Sequence, residues 1–276
     1  MIDYHVHTAL CNHATGSMEQ YIRQAVADGV HEICFLDHLT LHEKGRHFSM
    51  APAEVPLYYY AARRLQDKYR DAIRIRAGLE VDFTPEFAAQ IGDIVDRFSF
   101  DVIGGSVHFV DEQNIVSFRT ARTDPVDADT RFYERYLELV EQMLEYSYFD
   151  MVCHIDVVKK HGQLPPGWFY EKMDAILEKI QYKGLVLEIN TSGLTHPAKT
   201  VYPDPEMLRA CHDKQVGVTV GSDAHRPQDV GRHFNHAIAL LQSAGYRSLA
   251  GFNRRSRYEI PMPLSENDAC KTGGVM

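Results

Sequence analysis

Nothing in this 276-residue sequence approaches the run of roughly 18 apolar residues that a membrane-spanning helix needs, and the opening MIDYHVHTAL lacks the basic segment and apolar run of a secretory leader. Cysteine is scarce: Cys11, Cys34, Cys153, Cys211 and Cys270 are odd in number, widely spaced and without a C-x-x-C pair, which argues against a disulfide framework or a structural zinc knuckle. They read as reduced thiols, mostly in the core. Positive charge is in deficit, since 29 Lys and Arg stand against 38 Asp and Glu for a net −9. No chain-wide positive field therefore exists to draw in nucleic acid or an anionic membrane. Glycine (18) and proline (12) are too few for a low-complexity chain, and 45% hydrophobic with 24% charged residues is ordinary for a globular protein. These absences together lead to the expectation of a cytoplasmic protein with no nucleic-acid or membrane partner.

What stands out is histidine, with 15 residues, because imidazole is the commonest metal ligand. Its placement matters more than its number. Short β-branched or apolar runs at 2–6, 32–36, 73–81, 101–104, 149–152, 185–189 and 216–220 alternate with helical patterns, the signature of repeated βα units around a parallel sheet. The helical patterns run to 28 from the S-x-x-Q capping box at Ser17 to Gln20, then over 53–71, 85–98, 127–147, 170–182, 204–215 and 235–244. No linker or repeat interrupts the series. Residues 1–265 thus read as one domain and 266–276 as a disordered polar tail.

At the carboxyl ends of the strands stand His5 and His7, Asp37 and His38, Glu80, His108, His154, and Asp223 with His225. An open sheet would string these along an edge, whereas a closed barrel gathers them around one mouth. A single H-x-H such as His5-Val6-His7 is weak, since about 0.8 such triplets arise by chance at this histidine content; the registration of the whole set to strand ends is the signal. Imidazole and carboxylate without a nearby paired thiolate suit Zn, Mn or Fe in an open hydrolytic site. Eight or nine donors exceed what one ion takes, so two or three ions are expected, an arrangement that clamps attacking and leaving oxygens in phosphoryl transfer.

The ordered segments H-V-H-T, L-C-N-H-A, L-D-H, G-L-E, G-S-V-H, C-H-I-D, L-E-I-N-T and G-S-D-A-H-R-P resemble the PHP (polymerase and histidinol phosphatase) superfamily, specifically its histidinol-phosphate phosphatase branch, from His5 to about Pro263. The resemblance implies a distorted (β/α)7 TIM-like barrel with a trinuclear metal centre at the C-terminal mouth. It places His5, His7, Glu80 and Asp223 around one ion, has Glu80 bridge to a second held by His108 and His154, and gives a third to His13, His38 and His225. Leu36 and Cys153 stand where the family commonly has Thr and Gly, and neither removes a ligand. The implied activity is metal-dependent hydrolysis of L-histidinol phosphate, a step of histidine biosynthesis, with Asp223 and His225 as candidates for proton transfer. For the phosphate of a small substrate, the cations near the mouth are Lys160, near a position where the family resembled uses an arginine, then Lys199 and Arg226. The competing readings are a PHP phosphodiesterase or nuclease, a non-catalytic PHP module, and more distantly a carbon-nitrogen hydrolase on a similar barrel. Non-catalytic modules lose metal ligands, whereas all nine positions are filled here.

Overall fold

A computed structural model describes residues 1–117 and 130–263; the tail at 266–276, the domain limit at 265 and the first residues of the helix expected from 127 lie outside the described residues. Seven parallel strands form a single sheet in chain order: β1 (Ile2–Val6), β2 (Glu32–Leu39), β3 (Arg74–Asp82), β4 (Val102–Ser106), β5 (Met151–Val152), β6 (Val186–Asn190) and β7 (Gly217–Gly221). Each of the seven expected runs is a strand, with ends that differ by at most three residues. The sheet closes on itself just beyond β7, where the His7 amide donates to the Ala224 carbonyl (3.0 Å) and the Ala224 amide to that of His5 (3.2 Å). Asp3 of β1 reinforces the seam by accepting from Ser222 through both amide (3.0 Å) and hydroxyl (2.5 Å). The result is a nearly closed barrel.

The strands read as continuous apolar runs because both of their faces are covered. Among the described residues seven α-helices lie between and after them: α1 (Met18–Ala27), α2 (Val55–Tyr69), α3 (Ala88–Val95), α4 (Thr130–Met143), α5 (Gly167–Tyr182), α6 (Pro205–Asp213) and α7 (Phe234–Ala244). The capping box expected at Ser17 is present, with Gln20 returning its side chain to the Ser17 amide at 2.7 Å. Residues 85–87 form a 3-10 turn before α3 rather than its first turn.

Two antiparallel pairs have no counterpart in the sequence reading, a short one of Phe109–Val110 with Gln113–Asn114 and a longer one near the end of the described residues. Antiparallel strands Ser248–Asn253 and Ser256–Pro261 form a hairpin at the amino-terminal end of the barrel. There the Glu32 carboxylate, at the start of β2, accepts from the hydroxyls of Tyr4 and Tyr258 and pairs with Arg74 (2.7 Å) and Arg76 (3.1 Å). The Phe252 amide donates to the Tyr4 hydroxyl at 2.6 Å, and Arg255 pairs with Asp150 at the foot of β5. The hairpin thus plugs the end opposite the histidines, leaving one mouth for chemistry.

Candidate metal centre

Parallel pairing sets His38 of β2 beside Glu80 of β3, and Glu80 beside Gly104 of β4. Glu80 is fully buried at the middle of the imidazoles. Its Oε2 lies 2.7 Å from His38 Nδ1 and 3.3 Å from His5 Nε2, while Oε1 lies 2.8 Å from His154 Nε2 and 3.4 Å from His108 Nε2. Asp223, just past β7, places Oδ1 3.0 Å from His7 Nε2 and 3.5 Å from His225 Nδ1. The third group closes over these, with ring centroids 4.0 Å apart for His7 and His225, 4.5 Å for His13 and His225, and 5.3 Å for His13 and His38. Residues from six strand ends and the loop after β1 therefore meet in one place.

Two of these donors have unusual backbones. Asp223 (φ 53°) and His154 (φ 24°) lie in the left-handed region, disfavoured by roughly 1–2 kcal/mol for residues with a Cβ. Such strain persists where surrounding contacts over-determine it, and here it turns both side chains into the mouth. Close approach is also built in at Gly221, where an added Cβ would fall 2.1 Å from Glu188 Oε1 and 2.5 Å from His5 Cβ.

A second layer orients the first. His5 Nδ1 donates to Glu188 Oε1 (2.6 Å), His7 Nδ1 faces Asp37 Oδ1 (3.3 Å), His225 Nδ1 donates to the Asp223 carbonyl (3.0 Å) and His13 Nδ1 to that of Cys11 (2.8 Å). Each bond fixes one ring nitrogen as donor and leaves Nε2 as the outward base, the arrangement metal-ligating histidines adopt. Asp82 accepts from the His108 amide (2.8 Å) and from Thr40 (3.0 Å), while Ser192 Oγ donates to Asp223 Oδ2 at 3.1 Å. The sequence reading placed no supporting role on Glu188, Asp82 or Ser192. Period-two alternation along L-E-I-N would have put Glu188 and Asn190 on the same face, and that was the available signal.

The imidazoles keep both central carboxylates ionised. Burial alone raises the carboxyl pKa of Glu80, yet His38, His5, His108 and His154 together hold it well below the usual range. For Asp223 burial is likewise outweighed, by His5, His7 and His225. Burial, with help from His38, pushes His13 down to about 4. Burial lowers His5, His7 and His154, but the neighbouring carboxylates outweigh it and raise all three, His7 to about 9, so a cation binding there would displace protons from these rings.

The donor set fits divalent ions on an observation independent of any relative. His154 Nδ1 and His225 Nε2 are buried without a hydrogen-bond partner among the described residues, a costly state that metal coordination would relieve. Donor atoms of His5, Glu80 and His154 lie within 4.8 Å of one another, as do those of His5, His7 and Asp223 and those of His7, His38 and His225. Thiols also stand near, Cys11 in such a group with His13 and His225 and Cys153 in one with His5 and Glu188. Burial pushes the Cys11 thiol up to about 12.

Among the three cations, Lys160 lines a cavity of about 510 Å³ that is also bounded by His13, His38, His108, Phe48 and Phe109. Arg226 is instead 57% exposed and bidentate on Asp229 (2.9 and 3.2 Å), and Lys199 is exposed on the loop after β6. Neither lines that cavity.

Residues 3–192 match the model of the PHP domain. The chain belongs to the PHP family. It is 30% identical over 261 residues to a "probable histidinol-phosphatase" of Deinococcus radiodurans, covering 92% of this chain and 98% of that one. It is 26% identical to the histidinol-phosphatase of Lactococcus lactis, covering 91% and 94%. A crystal structure of histidinol phosphate phosphatase from Lactococcus lactis, complexed with zinc, L-histidinol and phosphate, superposes with a TM-score of 0.80 at 23% identity over 93% of this chain and 98% of that one. This PHP chain shares the distorted barrel of those phosphatases. No helix among the described residues is long and apolar enough to cross a membrane.

Proposed function

We propose that this protein is a metal-dependent phosphomonoesterase that hydrolyses L-histidinol phosphate to L-histidinol and inorganic phosphate, with three divalent ions drawn from zinc, manganese and iron. The observation that carries the reading is the convergence on Glu80 and Asp223 of seven histidines, beside a cavity lined by Lys160. The relatives named as histidinol-phosphatases, aligned over nine-tenths of this chain, support the choice of ester.

In this reading His5, His7, Glu80 and Asp223 hold one ion, Glu80, His108 and His154 a second, and His13, His38 and His225 a third. Ions so held supply Lewis-acid neutralisation of phosphate oxygens and a water of lowered pKa. The chain's own residues do the rest. Glu188 and Asp37 hold the His5 and His7 rings, so the donors are in place before substrate arrives. Lys160 meets the phosphate dianion as a point charge from the cavity side. Asp223, anchored by Ser192, and His225, anchored on the Asp223 carbonyl, stand where a proton is passed between water and leaving group. Phe48 and Phe109 present apolar surface to the alcohol portion.

The test is phosphate release by metal-loaded protein from histidinol phosphate, nucleoside 5'-monophosphates and bis(p-nitrophenyl) phosphate. A kcat/KM for histidinol phosphate about 100-fold or more above the others is expected, near 2.7 kcal/mol of preferential transition-state binding. A preference for the diester would assign the site to the phosphodiesterase class instead.

A further inference from the structure

Lys159 and Lys160 are adjacent in sequence and opposite in placement. Lys159 is fully buried, whereas Lys160 lines the cavity at the mouth. The Lys159 ammonium pairs with Asp156 and, at 3.0 Å, with Asp204, and it lies 5.8 Å from the centroid of the Tyr202 ring. Asp204 is itself fixed: its amide donates to Asp156 Oδ2 (3.2 Å), the Tyr170 hydroxyl donates to its Oδ2 (3.3 Å), and its Oδ1 caps α6 by accepting from the Glu206 and Met207 amides (3.1 and 3.0 Å). The triad therefore ties the turn after β5 to the start of α6.

That turn runs from a metal-site histidine to the cavity lysine. The Val157 amide donates to the His154 carbonyl and the Lys160 amide to that of Val157, both at 2.8 Å, with residues Val157–Lys159 forming a 3-10 helix. In a 3-10 helix successive side chains are about 120° apart. Pinning Lys159 inward consequently fixes which way its neighbour points. A buried ammonium in an ion pair is close to neutral in stability compared with a well-packed apolar residue, so the triad is weakly explained by stability alone.

We propose that Lys159 is a positioning residue: its ion triad with Asp156 and Asp204 sets the rotation of the 157–160 turn so that the Lys160 ammonium faces the cavity and binds phosphate dianion. The proposal rests on the assignment of phosphate binding to Lys160 made above.

The experiment is calorimetric titration of inorganic phosphate into metal-loaded full-length protein, run with metal analysis and thermal denaturation on the same samples. The variants are Lys159→Met, Lys159→Arg, Lys160→Ala and the double variant Lys159→Met with Lys160→Ala. Lys159→Met is expected to weaken phosphate by about fivefold or more at unchanged metal content, and Lys159→Arg to recover most of that loss. On the Lys160→Ala background Lys159→Met should add less than about twofold, since the effect passes through Lys160. If Lys159→Met does not fold, Asp204→Asn, which keeps a side chain suited to capping α6, carries the same expectation. A lowered Tm with phosphate affinity within about twofold of the parent overturns the proposal, as does an equal loss whether or not Lys160 is present. Lys160→Ala alone tests the underlying assignment: if it leaves phosphate affinity unchanged, that assignment falls, and this proposal with it.

Discussion

Glu80 shows how one residue organises the site. It faces four imidazoles at 2.7 to 3.4 Å and is the single carboxylate placed between the His5, His154 and His38 sides of the mouth. Glu80→Ala should therefore empty more metal than His13→Ala, which touches only the rim group, and should lower kcat/KM by about a thousandfold, some 4 kcal/mol. Metal content by plasma mass spectrometry, read beside turnover, checks this; equal metal loss and equal residual activity in the two variants would contradict it. Glu188→Gln acts one layer out, on His5, and is expected to weaken metal binding by about 10- to 100-fold. Lys160→Ala should lower kcat/KM for histidinol phosphate by about tenfold or more, with Lys160→Arg retaining more because guanidinium offers several donors to phosphate. Steady-state kinetics within about twofold of the parent would reduce Lys160 to a rim charge. Legibility at this scale followed chemistry: histidines at strand ends were visible as a set, whereas Glu188 was signalled only by the face it shares with Asn190, and Asp82 and Ser192, which act through other residues, leave no spacing of their own in the sequence.

At the scale of elements, the strands were readable because a parallel strand covered on both faces is a continuous apolar run, as in Ile33, Cys34, Phe35 and Leu36. The closing hairpin was not. Its second strand, Ser256–Pro261, is largely exposed and rich in polar residues, and what holds it, Glu32 together with Tyr4 and Tyr258, comes from opposite ends of the chain. Burial pushes the Glu32 pKa up, but the Tyr258 and Tyr4 hydroxyls and Arg76 outweigh it and hold the carboxyl below its ordinary value. A depressed folded-state pKa gives stability that is present above the unfolded value, about 4.3, and lost as pH falls through the folded one. Glu32→Gln should thus cost about 3 kcal/mol at pH 7 and flatten the acid limb of the stability curve below about pH 4. Urea denaturation at several pH values would show it, and parallel curves for parent and variant would contradict it.

For the whole molecule, two ends of one barrel carry different duties: the amino-terminal end is covered by the hairpin, and the carboxyl-terminal mouth gathers buried imidazole and carboxylate donors. Ions that bind the folded chain at about 1,000 times Kd stabilise it by about 4.1 kcal/mol, so chelation should lower Tm by about 10 °C for a chain of this size. Scanning calorimetry before and after chelation, with zinc returned as a control, measures it. Titrating zinc back into chelated protein while following phosphate release from L-histidinol phosphate tests whether donors brought together from separate strand ends form a metal-dependent phosphatase site. The account predicts negligible release from the stripped protein and a rise with bound zinc to a plateau at a fixed ratio of metal to chain; release that is unchanged by stripping, or absent from the fully reloaded protein, would contradict it.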